Sequence, residues 1–230
     1  MRTLGLLGGM SWESTALYYR LINQQTRTRL GGLHSASMLL HSFDFAQIAA
    51  LQHDGRWEQA GLLLGQSAAR LEQMGAAGIV LCTNTMHKVA HVIDQHISVP
   101  LLHLADATAL RIAAAGYRRV ALLGTQFTMQ ETFYSERLQA LDLEVLVPDR
   151  AAQQEVNRVI YEELCQGVLH HSSRAYYSQV VQELAARGAD CVILGCTEIT
   201  LLVGASDLCL PSFDTTAIHA EAAVDFALAD

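Results

Sequence analysis

Gly75-Ala76-Ala77-Gly78-Ile79-Val80-Leu81-Cys82-Thr83-Asn84 and Gly188-Ala189-Asp190-Cys191-Val192-Ile193-Leu194-Gly195-Cys196-Thr197 are two versions of one pattern: a glycine, a short connection, a β-branched apolar run and a polar tip. The offset between them is constant, since 188 − 75 = 113 and 196 − 83 = 113. Upstream of the first, Trp57, Ala60, Leu64, Ala68 and Leu71 recur at helical spacing, and Tyr177, Val180, Val181 and Leu184 do so upstream of the second. Gly75 and Gly188 then read as helix C-caps. A further pair, Leu4-Gly5-Leu6-Leu7-Gly8-Gly9 and Val120-Ala121-Leu122-Leu123-Gly124-Thr125, repeats at 122 − 6 = 116. Helix, glycine, buried strand and polar tip form the unit of a parallel α/β sheet.

The expected fold is therefore α/β: two similar small parallel-sheet domains in pseudo-two-fold relation, with strand tips lining an active-site cleft between them. The expected first domain is 1–103 plus 212–230, with the strand end and helix of Phe213 to Leu228 returning to close it, and the second is 104–211. A single sheet of seven or eight strands is the alternative, and the shared register counts against it.

With 230 residues, 51% hydrophobic and 17% charged, the chain can bury a substantial core, and its three prolines leave no linker-like tract. A net charge of −8 with basic residues scattered singly gives no electrostatic footprint for nucleic acid. The apolar stretch from Leu4 to Gly9 is too short for a signal-peptide core, and no uncharged run approaches membrane-spanning length, so a cytoplasmic protein without a membrane partner is expected. Five cysteines without a CxxC pair read as thiols, with no disulfide framework and no zinc site.

Ligands of open parallel sheets bind at the carboxyl ends of strands, which gives four tips to consider. At Gly8-Gly9-Met10-Ser11 the glycines let backbone amides approach a carboxylate, and Ser11 is a natural N-cap. The loop lacks both GxGxxG spacing and a P-loop Lys-Ser/Thr pair. Gly124-Thr125 offers only small polar groups. Thr83, in Cys82-Thr83-Asn84-Thr85-Met86-His87, and Cys196, in Gly195-Cys196-Thr197-Glu198, hold matching positions in the two halves. Cys196 follows a glycine at a strand end, a place where backbone amides can stabilise a thiolate. Strand alternation turns Cys82 and Cys191 to other faces, while Cys165 falls in a helix and Cys209 in a loop. His170 and His171 suit a solvated turn. His87 either orients the second tip or the substrate, or is a satisfied helix histidine.

GLLGGMSWEST, LLHSFDF, LCTNTMHKV and LGCTEI, in this order and spacing, resemble segments of the aspartate/glutamate racemase family over nearly the whole chain. The resemblance implies an isomerase of two similar α/β domains, usually a homodimer, that moves the α-proton of a small acidic amino acid between two cysteines without pyridoxal phosphate. The chain's only lysine is Lys88, beside His87, so no well-placed Schiff-base lysine is evident and no cofactor is expected. Here Thr83 replaces the first catalytic cysteine. This resembles a subgroup acting preferentially on L-aspartate and L-glutamate, in which Cys196 would take the proton from the L-enantiomer and Thr83, or a water it holds, would return one. A threonine hydroxyl stays protonated where a thiol, of reference pKa about 8.5, can ionise. Met10, Ser11, Gln52, Asn84, Thr85, Thr197 and Glu198 match the family's ligand-contacting segments. Many members carry a lysine for the side-chain carboxylate where Cys165 stands. Hydantoin racemases and maleate isomerases share the superfamily and keep the fold with another reaction; a non-catalytic acidic amino-acid-binding protein is the reading outside enzymology.

Overall fold

The structure is a computed structural model that describes residues 1–229. In chain order its elements are β1 (Leu4–Gly8), α1 (Trp12–Leu30), β2 (Met38–Ser42), α2 (Phe45–His53), α3 (Trp57–Gln73), β3 (Gly78–Leu81), α4 (Ala90–Asp94), β4 (Leu101–Leu102), α5 (Leu104–Ala114), β5 (Arg119–Gly124), α6 (Gln126–Gln130), α7 (Thr132–Gln139), β6 (Glu144–Leu146), α8 (Arg150–Glu162), α9 (His171–Ala186), β7 (Cys191–Gly195), α10 (Ile199–Leu202), β8 (Ser212–Asp214) and α11 (Thr215–Leu228). Two four-stranded sheets result, ordered β2-β1-β3-β4 and β6-β5-β7-β8, with every pairing parallel.

The internal repeat extends to the hydrogen-bond register. Leu4 to Leu7 pair with Gly78 to Leu81, and Val120 to Leu123 pair with Cys191 to Leu194. The sequence offsets of 116 and 113 thus carry one set of partners onto the other. Both α3 and α9 end on a glycine with positive φ, 101° at Gly75 and 96° at Gly188, a conformation that costs glycine little and a residue with a Cβ much more.

In the first unit, alternation along β3 divides the core. Ile79 and Leu81 pack with Ala60, Leu64, Ala68 and Leu71 of α3. Val80 and Cys82 face the opposite way, toward Tyr18 and Ile22 of α1 and Ala220, Ala223 and Val224 of α11. In the second unit Val192, Leu194 and Cys196 share one face with Val156 and Val159 of α8 and Tyr177, Val181 and Leu184 of α9. Burying each large aliphatic side chain contributes about 1.5–3 kcal/mol. Among the described residues no helix is long and apolar enough to cross a membrane.

Two compact units account for the described chain, but their limits differ from those expected. The first comprises Met1–Leu104 and the chain from His219 onward; the second is Ala105–Ile218. The return therefore comes at His219 rather than at 212, because Ser212, Phe213 and Asp214 pair with Val192, Ile193 and Leu194 as the edge strand of the second sheet. Cys165 lies in a short 3-10 turn, Leu164–Gln166, ended by Gly167 in the left-handed region, rather than in a helix.

His219 ties the returning helix into the first unit. Its Nε2–H donates to the Leu102 carbonyl at 2.7 Å, and its Nδ1 accepts from the Tyr18 hydroxyl at 2.8 Å. Burial pulls its pKa down from 6.5 to about 4. A depressed histidine pKa stabilises the fold above the unfolded value of 6.5 and loses that contribution as pH falls through about 4. The loss is on the order of 3 kcal/mol. Denaturant unfolding at stepped pH should show a smaller acid decline in His219→Gln, which cannot titrate, than in the wild type. Equal declines would place the acid sensitivity elsewhere.

Candidate active site

The strand orders place the direction-reversing crossover beside β1 and β3 in the first unit and beside β5 and β7 in the second. Loops at the carboxyl ends of such strands are the usual ligand sites of open parallel sheets. The first unit brings Thr83, Asn84 and Thr85 to the end of β3, and the second brings Cys196, Thr197 and Glu198 to the end of β7.

Beyond β1, Gly9 takes a φ of 88°. Its N–H donates to Thr15 Oγ1 at 2.8 Å, and that hydroxyl donates to the Ser11 carbonyl at 2.9 Å. Ser11 caps α1, accepting from Ser14 N–H at 3.4 Å. The Met10 side chain is buried in the core cluster of the first unit. At the second tip Cys82 N–H makes the last bond of the ladder, to the Leu7 carbonyl at 2.9 Å, and Thr83 N–H turns back to the Leu81 carbonyl at 2.9 Å. Thr83 is half-buried, whereas Asn84 and Thr85 are buried. Gln52 joins this segment, its amide donating to Met86 Sδ at 2.9 Å.

In the second unit the ends of β5 and β7 approach closely: a Cβ on Gly195 would stand 2.8 Å from the Leu123 carbonyl oxygen. A side chain there would push the strands apart just before the tip. Thr125 caps α6. Cys196 is 9% exposed, and its thiol donates to Glu198 Oε2 at 3.0 Å. Thr197 Oγ1 meets Thr216 Oγ1 at 3.0 Å, so that its hydroxyl is committed within the unit.

Burial pushes the Cys196 thiol well above its ordinary pKa, and the Glu198 carboxylate adds to the shift. The resting thiol is thus protonated, with a carboxylate placed to receive its proton. Cys165, half-buried, adds a further upward push. Tyr161, which the sequence reading did not single out, has its hydroxyl raised by burial and then by the charges of Cys196, Cys165 and Glu198. An aromatic residue on an amphipathic helix carries no local signal of such a neighbourhood. Cys82 and Cys191 are wholly buried, and desolvation pushes Cys191 up to about 12. Among the described residues no group of three or more His, Cys, Asp or Glu is arranged to hold a metal ion.

Glu198→Gln removes the like charge beside Cys196 while leaving its burial in place. Alkylation by iodoacetamide, followed by peptide mass mapping with exposed Cys209 as reference, should therefore reach its midpoint at lower pH in the variant. An unchanged or higher midpoint would mean that the carboxylate does not govern the thiol.

The family model described as Asp/Glu/Hydantoin racemase matches residues 7–223. The broad specificity amino-acid racemase RacX of Bacillus subtilis (strain 168) is 26% identical over 231 residues, 98% of each chain. A crystal structure from Yersinia pestis, described as a candidate Asp/Glu racemase, is 53% identical with a TM-score of 0.95 and covers 100% of both chains. An aspartate racemase homologue from Pyrococcus horikoshii OT3 is 32% identical with a TM-score of 0.86 over 99% of each. The chain belongs to the Asp/Glu/hydantoin racemase family, whose named members here are amino-acid racemases and hence isomerases.

Proposed function

We propose, from that membership, that the protein racemises L-aspartate and L-glutamate without a cofactor and works faster from the L side. The observation that carries this reading is chemical asymmetry at matching positions of the repeat: a thiol with its own carboxylate at Cys196, and a hydroxyl at Thr83. In the proposed step Glu198 accepts the Cys196 proton, the thiolate removes the α-proton of the L-enantiomer, and Thr83 or a water it holds delivers a proton to the opposite face. S–H first breaks as O–H forms on Glu198; one C–H bond then breaks as S–H forms again, a new C–H bond forms at the expense of O–H on Thr83 or its water, and the Glu198 proton returns to that oxygen through solvent to restore the starting state. The substrate's α-ammonium would offset the negative neighbour that raises Cys196, favouring thiolate in the complex over thiolate in the free enzyme. Lys88, the single lysine, lies with Nζ 3.9 Å above the Trp57 ring. Met10 backbone, Ser11, Gln52, Asn84, Thr85 and Thr197 complete the proposed contacts with the amino acid.

Cys165 in place of a lysine favours a second reading, in which neutral side chains are accepted as well; the Bacillus relative's broad specificity supports it. Alanine and methionine assayed beside glutamate separate the two readings. The five free cysteines fit a reducing cytoplasm.

In deuterated water, L-glutamate should exchange its α-proton readily and D-glutamate much more slowly. Cys196→Ser should abolish the L-side exchange, and Thr83→Cys should raise the D-side rate by ~10² if general-base catalysis is what threonine lacks. Equal rates from both enantiomers in the wild type would defeat the one-sided mechanism. A homodimer is also proposed, on the family resemblance and on exposed Trp12, Tyr19 and Leu33 in the first unit. Light scattering that returns the 25.1 kDa of one chain would reject it.

A further inference from the structure

Thr83 has both backbone polar groups committed, and the second commitment is to a side chain. Its N–H turns back to the Leu81 carbonyl, and its own carbonyl oxygen lies 2.8 Å from His87 Nδ1. The other ring nitrogen, Nε2, accepts the Leu104 backbone N–H at 3.2 Å. An amide can only donate, so Nε2 carries the lone pair and Nδ1 carries the hydrogen given to Thr83. The tautomer follows from the partners. A second ring proton would set N–H against N–H at Leu104, and burial, followed by the neighbouring His103 and His219, holds the pKa well below 6.5.

The ring is also fixed in its plane. His87 is 2% exposed. It packs edge-on against His103, with centroids 4.5 Å apart, and against His219, at 5.8 Å. His219 has the opposite tautomer, donating from Nε2 and accepting at Nδ1. The Thr83 carbonyl is therefore gripped by an imidazole that can neither rotate nor gain a proton without breaking a buried hydrogen bond. The second unit holds its tip otherwise. The repeat offset of 113 makes Thr200 the counterpart of His87, and its hydroxyl donates to the Thr197 carbonyl at 2.8 Å, while the Cys196 carbonyl accepts from Ile199 N–H at 3.1 Å.

We propose that His87 is a positioning residue for the face of the reaction assigned to Thr83: by holding the Thr83 carbonyl it fixes the peptide from which the hydroxyl projects, and so sets inversion without touching the proton abstraction at Cys196. This rests on the racemase reading above. A hydroxyl returning a proton must meet its carbon within a narrow geometry, and a misplacement of about 1 Å can lower a rate ~10²-fold. A thiolate on its own turn is indifferent to it.

The two halves of the grip can be separated. In His87→Asn the amide nitrogen falls near Nδ1 and keeps a donor for Thr83; in His87→Gln the amide falls near Nε2, which keeps an acceptor for Leu104 and loses the donor. With L-glutamate in deuterated water, loss of the α-proton reports Cys196, whereas appearance of D-glutamate reports the opposite face. Their ratio is independent of how much enzyme is folded. His87→Gln should lower the ratio of inversion to exchange by ~10-fold or more, within the limit just given, and His87→Asn should restore most of it. Hydrogen exchange of the backbone amides of residues 83–85 should quicken in the Gln variant and not in the Asn variant. A ratio unchanged in both variants, or lowered equally in both, would overturn the positioning role and leave the racemase reading intact. Wild-type protein that exchanges no α-proton from aspartate, glutamate or a neutral amino acid would overturn both.

Discussion

The last ladder bond of each central strand pair decides where the core ends and chemistry begins. In a parallel sheet every strand amide must find a carbonyl on a neighbour, so the chain cannot turn polar until that pairing stops. Cys82 N–H to the Leu7 carbonyl is that final bond in the first unit, and the Gly124–Gly195 pair marks the corresponding point in the second. Thr83, Asn84, Thr85, Cys196, Thr197 and Glu198 all lie within three residues beyond. The tips inherit the strands' register, and the side-chain caps at Ser11 and Thr125 extend that order by one turn.

Much of this was legible in the sequence because a buried parallel strand writes itself as an uninterrupted apolar run, and a duplication writes it twice. The offset of 113 gives Cys196 and Thr83 the same position in the two halves, and strand alternation assigns Cys82 to the far face, where it packs with α1 and α11. The return to the first unit was less legible. Residues 212–214 are too short for a periodic signal, and their membership is decided by an edge partner, β7, remote in sequence. Met10 matches a ligand-contacting segment of the family, and nothing in its glycine turn signals that its side chain is buried in the core of the first unit. Tyr161 joined the Cys196 neighbourhood through packing between a helix and a tip, a relation that no local spacing encodes.

The two tips use opposite electrostatic strategies. Around Cys196 a carboxylate and a second thiol gather near a buried group, which raises the cost of ionisation. Near Thr83 three imidazoles are buried together, and at His87 and His219 hydrogen bonds at both ring nitrogens specify the neutral form. At one tip burial and like charge hold a thiol protonated; at the other hydrogen bonds hold imidazoles neutral. A pair of such units can diverge at one tip without disturbing the other, since each is anchored to its own sheet.

The contact between Lys88 and Trp57 has a use in spectroscopy. Both tryptophans, Trp12 and Trp57, belong to the first unit, and the second contains none. Indole emission during denaturation is therefore a private signal of one half of the chain, and the ammonium 3.9 Å above the Trp57 ring makes that fluorophore sensitive to any loosening of the turn that carries His87 and Lys88. Far-ultraviolet circular dichroism sums over both halves. A gap between the two melting curves would measure how independently the duplicated units unfold.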